Sequence, residues 1–480
     1  MHIIDLLIFI IYMASMLGVG FYFLRRNKTT EDYFVGGRKM SALHIGLSVV
    51  ATDVGGGFSI GLGGLGFMIG LSGSWLLFTG LIGAWLSGVL LIPKVYKIAQ
   101  KKGFLSFPQF LEYKYDKKVA MFAGIISAIG YLGFTSSQIL AGAKLASSTF
   151  SGLSIDYALF IMGAIAIVYT AFGGLKAVIY TDTIQWIVLM VGLIFVALPF
   201  SYYKIGGIEA IKNTLQPEFL SLTNITWQQI VNWMFTIIPI WFIGMTLYQR
   251  IYASRDVKTA QRGWFIAGLF EYPIMAFMGV ILGMFSRVAV MNGLLGDYTV
   301  ATIDAEMGLP VLLKTILPVG LLGIVLSSYF SAIMSTADSC LMASSGNILA
   351  DVLRIHKSKN SLRISQFLTL FIGVLALLLA MKMENVLNLM LLSYSFMVSG
   401  MLIPVLMALF SPYPNKIAAL ASMIAGGSTT LFIKLLGINI FLDLDANIIG
   451  ILASLTTYLV IHYLIIKKNG GYRDHSKFPV

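Results

Sequence analysis

The sequence predicts an all-α membrane protein of about thirteen spanning helices, arranged as an inverted repeat of five plus five in which the first helix of each half is broken. Three observations carry that expectation. Of the 480 residues, 58% are hydrophobic and 11% charged, with a mean hydropathy of +0.86, against roughly 25% charged residues in soluble domains. The apolar runs reach or exceed the ~20 residues a helix needs to cross the hydrocarbon, and short polar segments separate them. Two of these runs, five spans apart, are interrupted by residues that a plain spanning helix avoids. A membrane β-barrel, with its weak alternation over about ten residues per strand, does not fit such runs.

Taken in order, the spans fall near residues 3–23, 42–68, 74–98, 119–148, 155–172, 178–200, 227–248, 263–286, 311–345, 363–382, 386–409, 416–437 and 447–466. The chain reads as one membrane domain over residues 1–480: a leading span, a first repeat over 42–200, a second over 227–409 and two peripheral spans within 416–466. The leading span is not a cleaved signal, because Arg25, Arg26 and Lys28 follow its apolar stretch instead of preceding it. The second span contains Ser48-Val-Val-Ala-Thr-Asp-Val-Gly-Gly-Gly-Phe-Ser-Ile-Gly61. Hydrocarbon punishes a carboxylate and a glycine run unless the opened backbone lines a protected cavity. The segment from Lys94 to Lys118 mixes Phe104, Phe107, Phe110, Leu111, Tyr113 and Tyr115 with seven lysines. That composition suits either an interfacial helix or a basic loop. In the seventh span, Pro239 and Gly244 flank Ile240-Trp241-Phe242-Ile243, a second interruption of the kind secondary transporters use at the midplane.

The net charge of +12 raises the possibility of nucleic acid. Most of the 33 lysines and arginines instead fall on alternate connections, as membrane orientation demands, so no nucleic-acid partner is expected. The basic side is cytoplasmic by the same rule. An integral plasma (inner) membrane protein is therefore expected, with its N-terminus outside and its tail from Lys467 to Val480 inside. The single cysteine, Cys340, lies within a span and supports neither a disulfide nor a cysteine metal site.

Four acids fall inside spans or at their edges: Asp53, Asp182, Glu271 and Asp338. Each is a functional candidate by default, the alternative being a structural ion pair or cap. Glu271, beside Pro273 and without other polar company, suits either role equally. Around Asp53 the glycines free backbone carbonyls, which favours a binding role. The ninth span carries Ser331-Ala-Ile-Met-Ser-Thr-Ala-Asp-Ser-Cys-Leu-Met-Ala-Ser-Ser345. Ser331, Ser335 and Ser339 share a helix face, with Thr336 and Asp338 beside it. Hydroxyls and a carboxylate opposite opened carbonyls form a hard-oxygen site for a small cation; serines at this spacing also bind helices together. No G-x-x-x-x-G-K-[ST] sequence and no nucleophile–base constellation is present, so an enzyme is not expected. Gly55 to Gly57 lack the strand-and-helix context of a nucleotide cradle.

Tyr33-Phe-Val-Gly-Gly-Arg38, the Ala51-Thr-Asp-Val-Gly-Gly-Gly57 break, Ala171-Phe-Gly-Gly-Leu-Lys-Ala-Val-Ile-Tyr-Thr-Asp-Thr-Ile-Gln185 and the stretch from Ser331 to Ser339 resemble the sodium:solute symporters. That family includes the sodium–glucose, sodium–proline, sialic acid and choline transporters. The resemblance covers nearly the whole chain and implies the leucine-transporter type of inverted-repeat fold. It places a sodium ion between core helices 1 and 8, on the carbonyls of Ala51, Val54 and Ala332 and the hydroxyls of Ser335 and Thr336. Some members resemble a second arrangement, which here falls on Asp182, Ser335, Asp338 and Ser339, although the family more often has a hydroxyl where Asp338 stands. The implied solute cavity involves Asp53, Gly55, Phe58, Thr79, Gln138, Trp241 and Tyr394. The glycine break and the Met334 to Ser339 stretch look closest to choline transporters. Asp53 stands where those carry a tryptophan, and proline transporters have aspartate there.

No arginine or lysine is expected at mid-depth of the cavity, so a strongly anionic solute would lack its counter-charge. The resemblance thus implies Na+-coupled symport of a small organic solute by alternating access, with an amino-acid-like zwitterion or a cation favoured. The solute's carboxyl would face a half-helix N-terminus and its amine would approach Asp53. A choline-like quaternary amine, a sugar or carboxylate, or a non-transporting channel or sensor on the same fold are the alternatives. The expected partners are sodium ions, the solute and the bilayer.

Overall fold

A computed structural model describes residues 2–24, 35–150, 152–355 and 361–468. Tyr33 and Phe34 of the first motif, Arg25, Arg26 and Lys28, and the tail beyond Lys468 lie outside the described residues. The described chain is helical, with one isolated bridge between Met40 and Ser254 and no strand. Its main helices are α1 (Ile3–Leu24), α2 (Ala42–Ile69), α3 (Trp75–Leu90), α4 (Lys117–Thr149), α5 (Ile155–Val191), α6 (Trp227–Ile243), α7 (Met245–Ala253) and α8 (Val257–Leu269). There follow α9 (Ala276–Met291), α10 (Ala305–Ile316), α11 (Leu321–Asn347), α12 (Ser361–Ala380), α13 (Val386–Phe410), α14 (Lys416–Leu435) and α15 (Ala446–Lys468).

Short polar residues start these helices by satisfying the free amides of the first turn. Asp116 accepts from the amides of Lys118 and Val119, Thr226 from Gln229, Asn385 from Asn388 and Asn415 from Ile417 and Ala418. At the head of α8, Asp256 accepts from the Thr259 amide at 2.7 Å. That bond holds its carboxyl below the usual carboxylate range.

Nine helices among the described residues are long and apolar enough to cross a membrane, and α6 with α7, bent by 41°, make a tenth. Three shorter apolar helices, Ile3–Met16, Ala42–Gly56 and Ile155–Val168, lie where further spans were expected. Two sequence expectations need correction. The span expected over 311–345 is two helices, because Pro318 cannot donate to a continuing helix and Gly320 adopts φ 90° between α10 and α11. The aromatic residues after α3 do not form a lipid-facing stripe. Phe104, Phe107, Phe110 and Leu111 are buried in the protein core, on and between the helices Ile92–Lys102 and Pro108–Lys114.

The centre of the bundle is α11, on which α1, α2, α4, α5 and α12 pack. It is buried almost throughout, polar residues included. Glycines bring α2 against its neighbours: a Cβ on Gly66 would sit 2.1 Å from the Val280 carbonyl oxygen of α9, and one on Gly56 2.0 Å from Ile333 of α11. Close backbone approach of this kind is how membrane helices gain packing without a hydrophobic driving force between them.

Candidate functional site: a broken-helix cation pocket

The break in α2 is at Gly55, whose φ of 17° and ψ of −173° leave the helical range. A Cβ there would lie 2.1 Å from Thr336 Oγ1, so only glycine lets α11 come this close. Thr336 Oγ1 reaches the Ala51 carbonyl at 3.1 Å and the Ala332 carbonyl at 3.2 Å. Beside this junction is a cavity of about 10 Å³ lined by Ala51, Val54, Gly55, Gln185, Trp186, Leu189, Ala332 and Ser335. That is about the space of one water-sized sphere. Of the five residues expected to hold sodium, Ala51, Val54, Ala332 and Ser335 line this cavity, and Thr336 is bonded to the carbonyls of Ala51 and Ala332.

The Ser335 hydroxyl donates to Asp182 Oδ1 at 2.5 Å. That leaves the Ser335 oxygen able to accept. Asp182 is wholly buried and also accepts from Ser48 Oγ at 2.5 Å. Its counter-charge is Arg250 Nη2 at 3.2 Å. The same Arg250 nitrogen donates to Ser339 Oγ at 2.6 Å and Thr52 Oγ1 at 2.8 Å, while Nε donates to Ser48 at 3.1 Å. A third nitrogen reaches the Thr246 carbonyl.

Arg250 is a cationic side chain inside the protein, although it lines neither the cavity at the break nor the wider cavity along α13. The second interruption continues as α7 after Gly244, carrying Arg250 back into the protein with 0% of its surface exposed. Of the residues nominated for a second ion, Asp182, Ser335 and Ser339 are brought together, and a guanidinium sits among them. Asp338 stands apart: its Oδ1 accepts from Thr170 Oγ1 at 2.5 Å, and its Oδ2 has no hydrogen-bond partner. Ser331, at the outer end of the serine face, is bonded to the Tyr12 hydroxyl of α1 and to the Ser327 carbonyl.

On the other side of the break, Asp53 is buried, with the Tyr394 hydroxyl of α13 at 3.5 Å from its Oδ1. Tyr394 stacks on Phe134 of α4 at a centroid distance of 4.9 Å and an interplanar angle of 13°. Above them opens a cavity of about 580 Å³ lined by Leu65 and Ile69 of α2, Thr226, Gln229 and Trp233 at the start of α6, and Leu387, Asn388 and Leu391 of α13. Leu387, Leu391 and Tyr394 are spaced to share one face of α13, so that face runs from the vestibule down to Asp53.

The remaining solute candidates fare differently. Thr79 is buried, but its hydroxyl donates to the Leu76 carbonyl within α3. Gln138 is wholly buried on α4, with Nε2 3.2 Å from Ser137 Oγ. Trp241 is wholly buried between α3 and α8, its ring against Gly83 and edge-on to Trp264. The Phe58 side chain lies outside the described residues.

Sequence reasoning missed two buried cations. Arg250 was assigned by position to a loop. Lys144 bonds Asp304 at 2.6 Å and Glu306 at 2.7 Å, and Glu306 in turn accepts from the amides of Val386 and Leu387. A lone lysine inside an apolar span was a visible signal that a carboxylate had to meet it.

Two interrupted helices meeting beside a hydroxyl-rich central helix, with a small pocket at the break and a wider open cavity along α13, are the arrangement of a secondary transporter. The chain belongs to the sodium:solute symporter family, whose profile matches residues 33–426. It is 27% identical over 455 residues to a high-affinity proline transporter, PutP, of Bacillus subtilis (strain 168), covering 89% of this chain and 91% of that one. It is also 27% identical to a sodium/pantothenate symporter of Escherichia coli (strain K12), covering 94% of each. The fold is that of a Na+-coupled sialic acid symporter in a substrate-bound, outward-open state, with a TM-score of 0.80 at 22% identity over 96% of this chain and 98% of that one. The protein is thus an integral membrane transporter for sodium-coupled symport of a small organic solute, and not an enzyme.

Proposed function

We propose that this chain couples one sodium ion, held by the carbonyls of Ala51, Val54 and Ala332 and the hydroxyls of Ser335 and Thr336, to uptake of an amine-bearing, amino-acid-like solute beside Asp53. The observation that carries the reading is the small cavity at the Gly55 break, which Ala51, Val54, Ala332 and Ser335 line and beside which Thr336 Oγ1 meets the Ala51 carbonyl. Ser335, fixed by its bond to Asp182, presents its lone pairs there. Arg250 supplies a permanent positive charge among Asp182, Ser48, Thr52 and Ser339, which favours a single ion over a second one at Asp182, Asp338 and Ser339. One ion is energetically sufficient. At ~100 mV its entry contributes about 2.3 kcal/mol, and a tenfold gradient about 1.4 more. Together these sustain several-hundred-fold accumulation of solute.

The proposed solute path runs from the vestibule along Leu387, Leu391 and Tyr394 to Asp53, Gly55, Phe58 and Gln138. Thr79 and Trp241 contribute as packing around it. The proposed topology has thirteen spans, an N-terminus outside and a cytoplasmic C-terminus, with repeats over 42–200 and 227–409 and peripheral spans at 3–23 and within 416–466. The proline transporter among its relatives also suits an amino-acid-like solute.

A thermal-shift panel of purified protein against amino acids, quaternary amines, sugars and carboxylates, each in sodium and in potassium, tests this reading. A ligand at a hundred times its Kd adds about 2.7 kcal/mol to stability. An amine that raises Tm in sodium and not in potassium is the expected result. Stabilisation by a sugar or a carboxylate alone, or equal shifts in both salts, would contradict it.

A further inference from the structure

Gln185 closes the stretch that begins at Ala171, one helical turn past Asp182 and on the same face of α5. Contacts on either side of it fix its level against α11. Before it, Asp182 accepts from the Ser335 hydroxyl; after it, the Val188 carbonyl accepts from Ser328 Oγ at 3.1 Å. The two helices therefore run antiparallel here, and Gln185, midway between those contacts, comes level with Ala332. It lines the small cavity at the Gly55 break together with Ala51, Val54, Ala332 and Ser335.

Gln185 is 2% exposed, and its Oε1 is buried without a hydrogen-bond partner. An amide oxygen in that position has given up its bonds to water and received nothing in return. The side chains around the cavity do not supply a proton. Ser335 has given its own to Asp182, and Thr336, beside the cavity, directs its hydroxyl at the carbonyls of Ala51 and Ala332. Ala51, Val54, Leu189 and Ala332 have none to give, and Trp186 Nε1 is itself unpartnered. The partner that Oε1 lacks must therefore come from outside the chain, into a space that holds one water-sized occupant.

We propose that Gln185 Oε1 is a further ligand of the coupling sodium ion, contributed by α5 to a site otherwise drawn from α2 and α11. This rests on the reading above that sodium occupies the cavity at the Gly55 break, and it deepens that reading. An amide oxygen is a hard, neutral donor. It adds to the ion's coordination without adding a charge beside the Asp182–Arg250 pair. The bound ion then joins α5 to α2 and α11 one turn beyond the bonds that Asp182 accepts from Ser48 and Ser335, so occupancy of the site is linked to the packing of all three helices. The competing occupant is a water that donates to Oε1 and accepts from Trp186 Nε1, which would leave Gln185 indifferent to sodium.

The probe is sodium alone. The full chain in lipid nanodiscs is titrated with sodium chloride, potassium chloride holding the ionic strength, and Tm is read at each point. Gln185→Leu, which keeps most of the volume and loses the oxygen, should raise the sodium concentration for half-maximal stabilisation about tenfold or more. Gln185→Glu, which keeps an oxygen at the same reach, should stay within about threefold of the wild type. A change of less than about threefold in Gln185→Leu overturns the proposal and leaves the amide to the bridging water. So does an equal loss in Gln185→Leu and Gln185→Glu, the mark of a residue that only packs. If Gln185→Leu does not fold, Gln185→Asn takes its place: its oxygen, one methylene short, should show the loss that Gln185→Glu does not. The Ser335→Ala, Thr336→Ala double variant separates this from failure of the reading beneath it. Wild-type sodium activation there would move the ion out of the cavity altogether, whereas lost activation there with an unchanged Gln185→Leu strikes only the Gln185 ligand.

Discussion

Arg250→Met is expected to lower the stability of the folded protein by about 3–5 kcal/mol, the usual cost of removing one partner from a buried ion pair. The loss is not mainly that of a Coulomb attraction. Asp182, wholly buried, would keep its bonds from Ser48 and Ser335 but have no counter-charge, and Thr52 and Ser339 would keep their mutual bond but lose the donor they share. Methionine fills much of the arginine stem's volume, so the effect isolates the charge from the cavity. Arg250→Lys should recover only part of the loss, because an ammonium cannot reproduce the fork that reaches five partners. The double variant Arg250→Met with Asp182→Leu should be substantially more stable than Arg250→Met alone, since an apolar replacement of both partners removes the orphaned charge. Chemical or thermal unfolding in one detergent measures these proteins together with the wild type and the single variant Asp182→Leu. Simple additivity of the two single changes would show that Arg250 and Asp182 do not act as a pair.

The second large effect is on sodium. Ser335→Ala and Thr336→Ala each remove one of five oxygens from the proposed ion. On the scale of hydrogen bonds to charged groups, roughly 1.5–3 kcal/mol apiece, each should raise the sodium requirement about tenfold or more, and the pair should abolish activation in the accessible range. The fold should persist. Thr336 Oγ1 contacts only carbonyls that have other roles in their helices, and alanine at 335 leaves Asp182 its bonds to Arg250 and Ser48. Sodium titrations of thermal stability read both variants. Activation like that of the wild type in the double variant would move the ion elsewhere.

The parts of the site legible in the sequence were those whose residue types are wrong for hydrocarbon. A carboxylate followed by three glycines, and serines at helical spacing in an apolar run, announce themselves because a plain spanning helix would pay for them without return. Gly55 and Thr336 meet as that argument requires. The partners were not legible, because pairing is set by how distant helices face each other. Arg250 counted as a loop residue, since the apolar run ends near Tyr248 and an arginine beyond it satisfies the rule for basic connections. Only the bend at Gly244 sends it inward. Glu271 was visible as an odd acid beside Pro273, but nothing in its own span showed that it would be buried against Gly80 of α3. The break at Pro318 was also in view. The apolar residues on both sides of it hid it, and two helices read as one span.

The central claim is that an ion at the α2 break drives solute uptake. Proteoliposomes loaded with potassium test it most directly when they are given the best-binding amine under an imposed inward sodium gradient. The account predicts transient accumulation of the amine above its outside concentration, absent when external sodium is replaced by potassium, and absent in the Ser335→Ala, Thr336→Ala double variant. Equal accumulation with potassium outside, or full sodium-driven accumulation by the double variant, would contradict it.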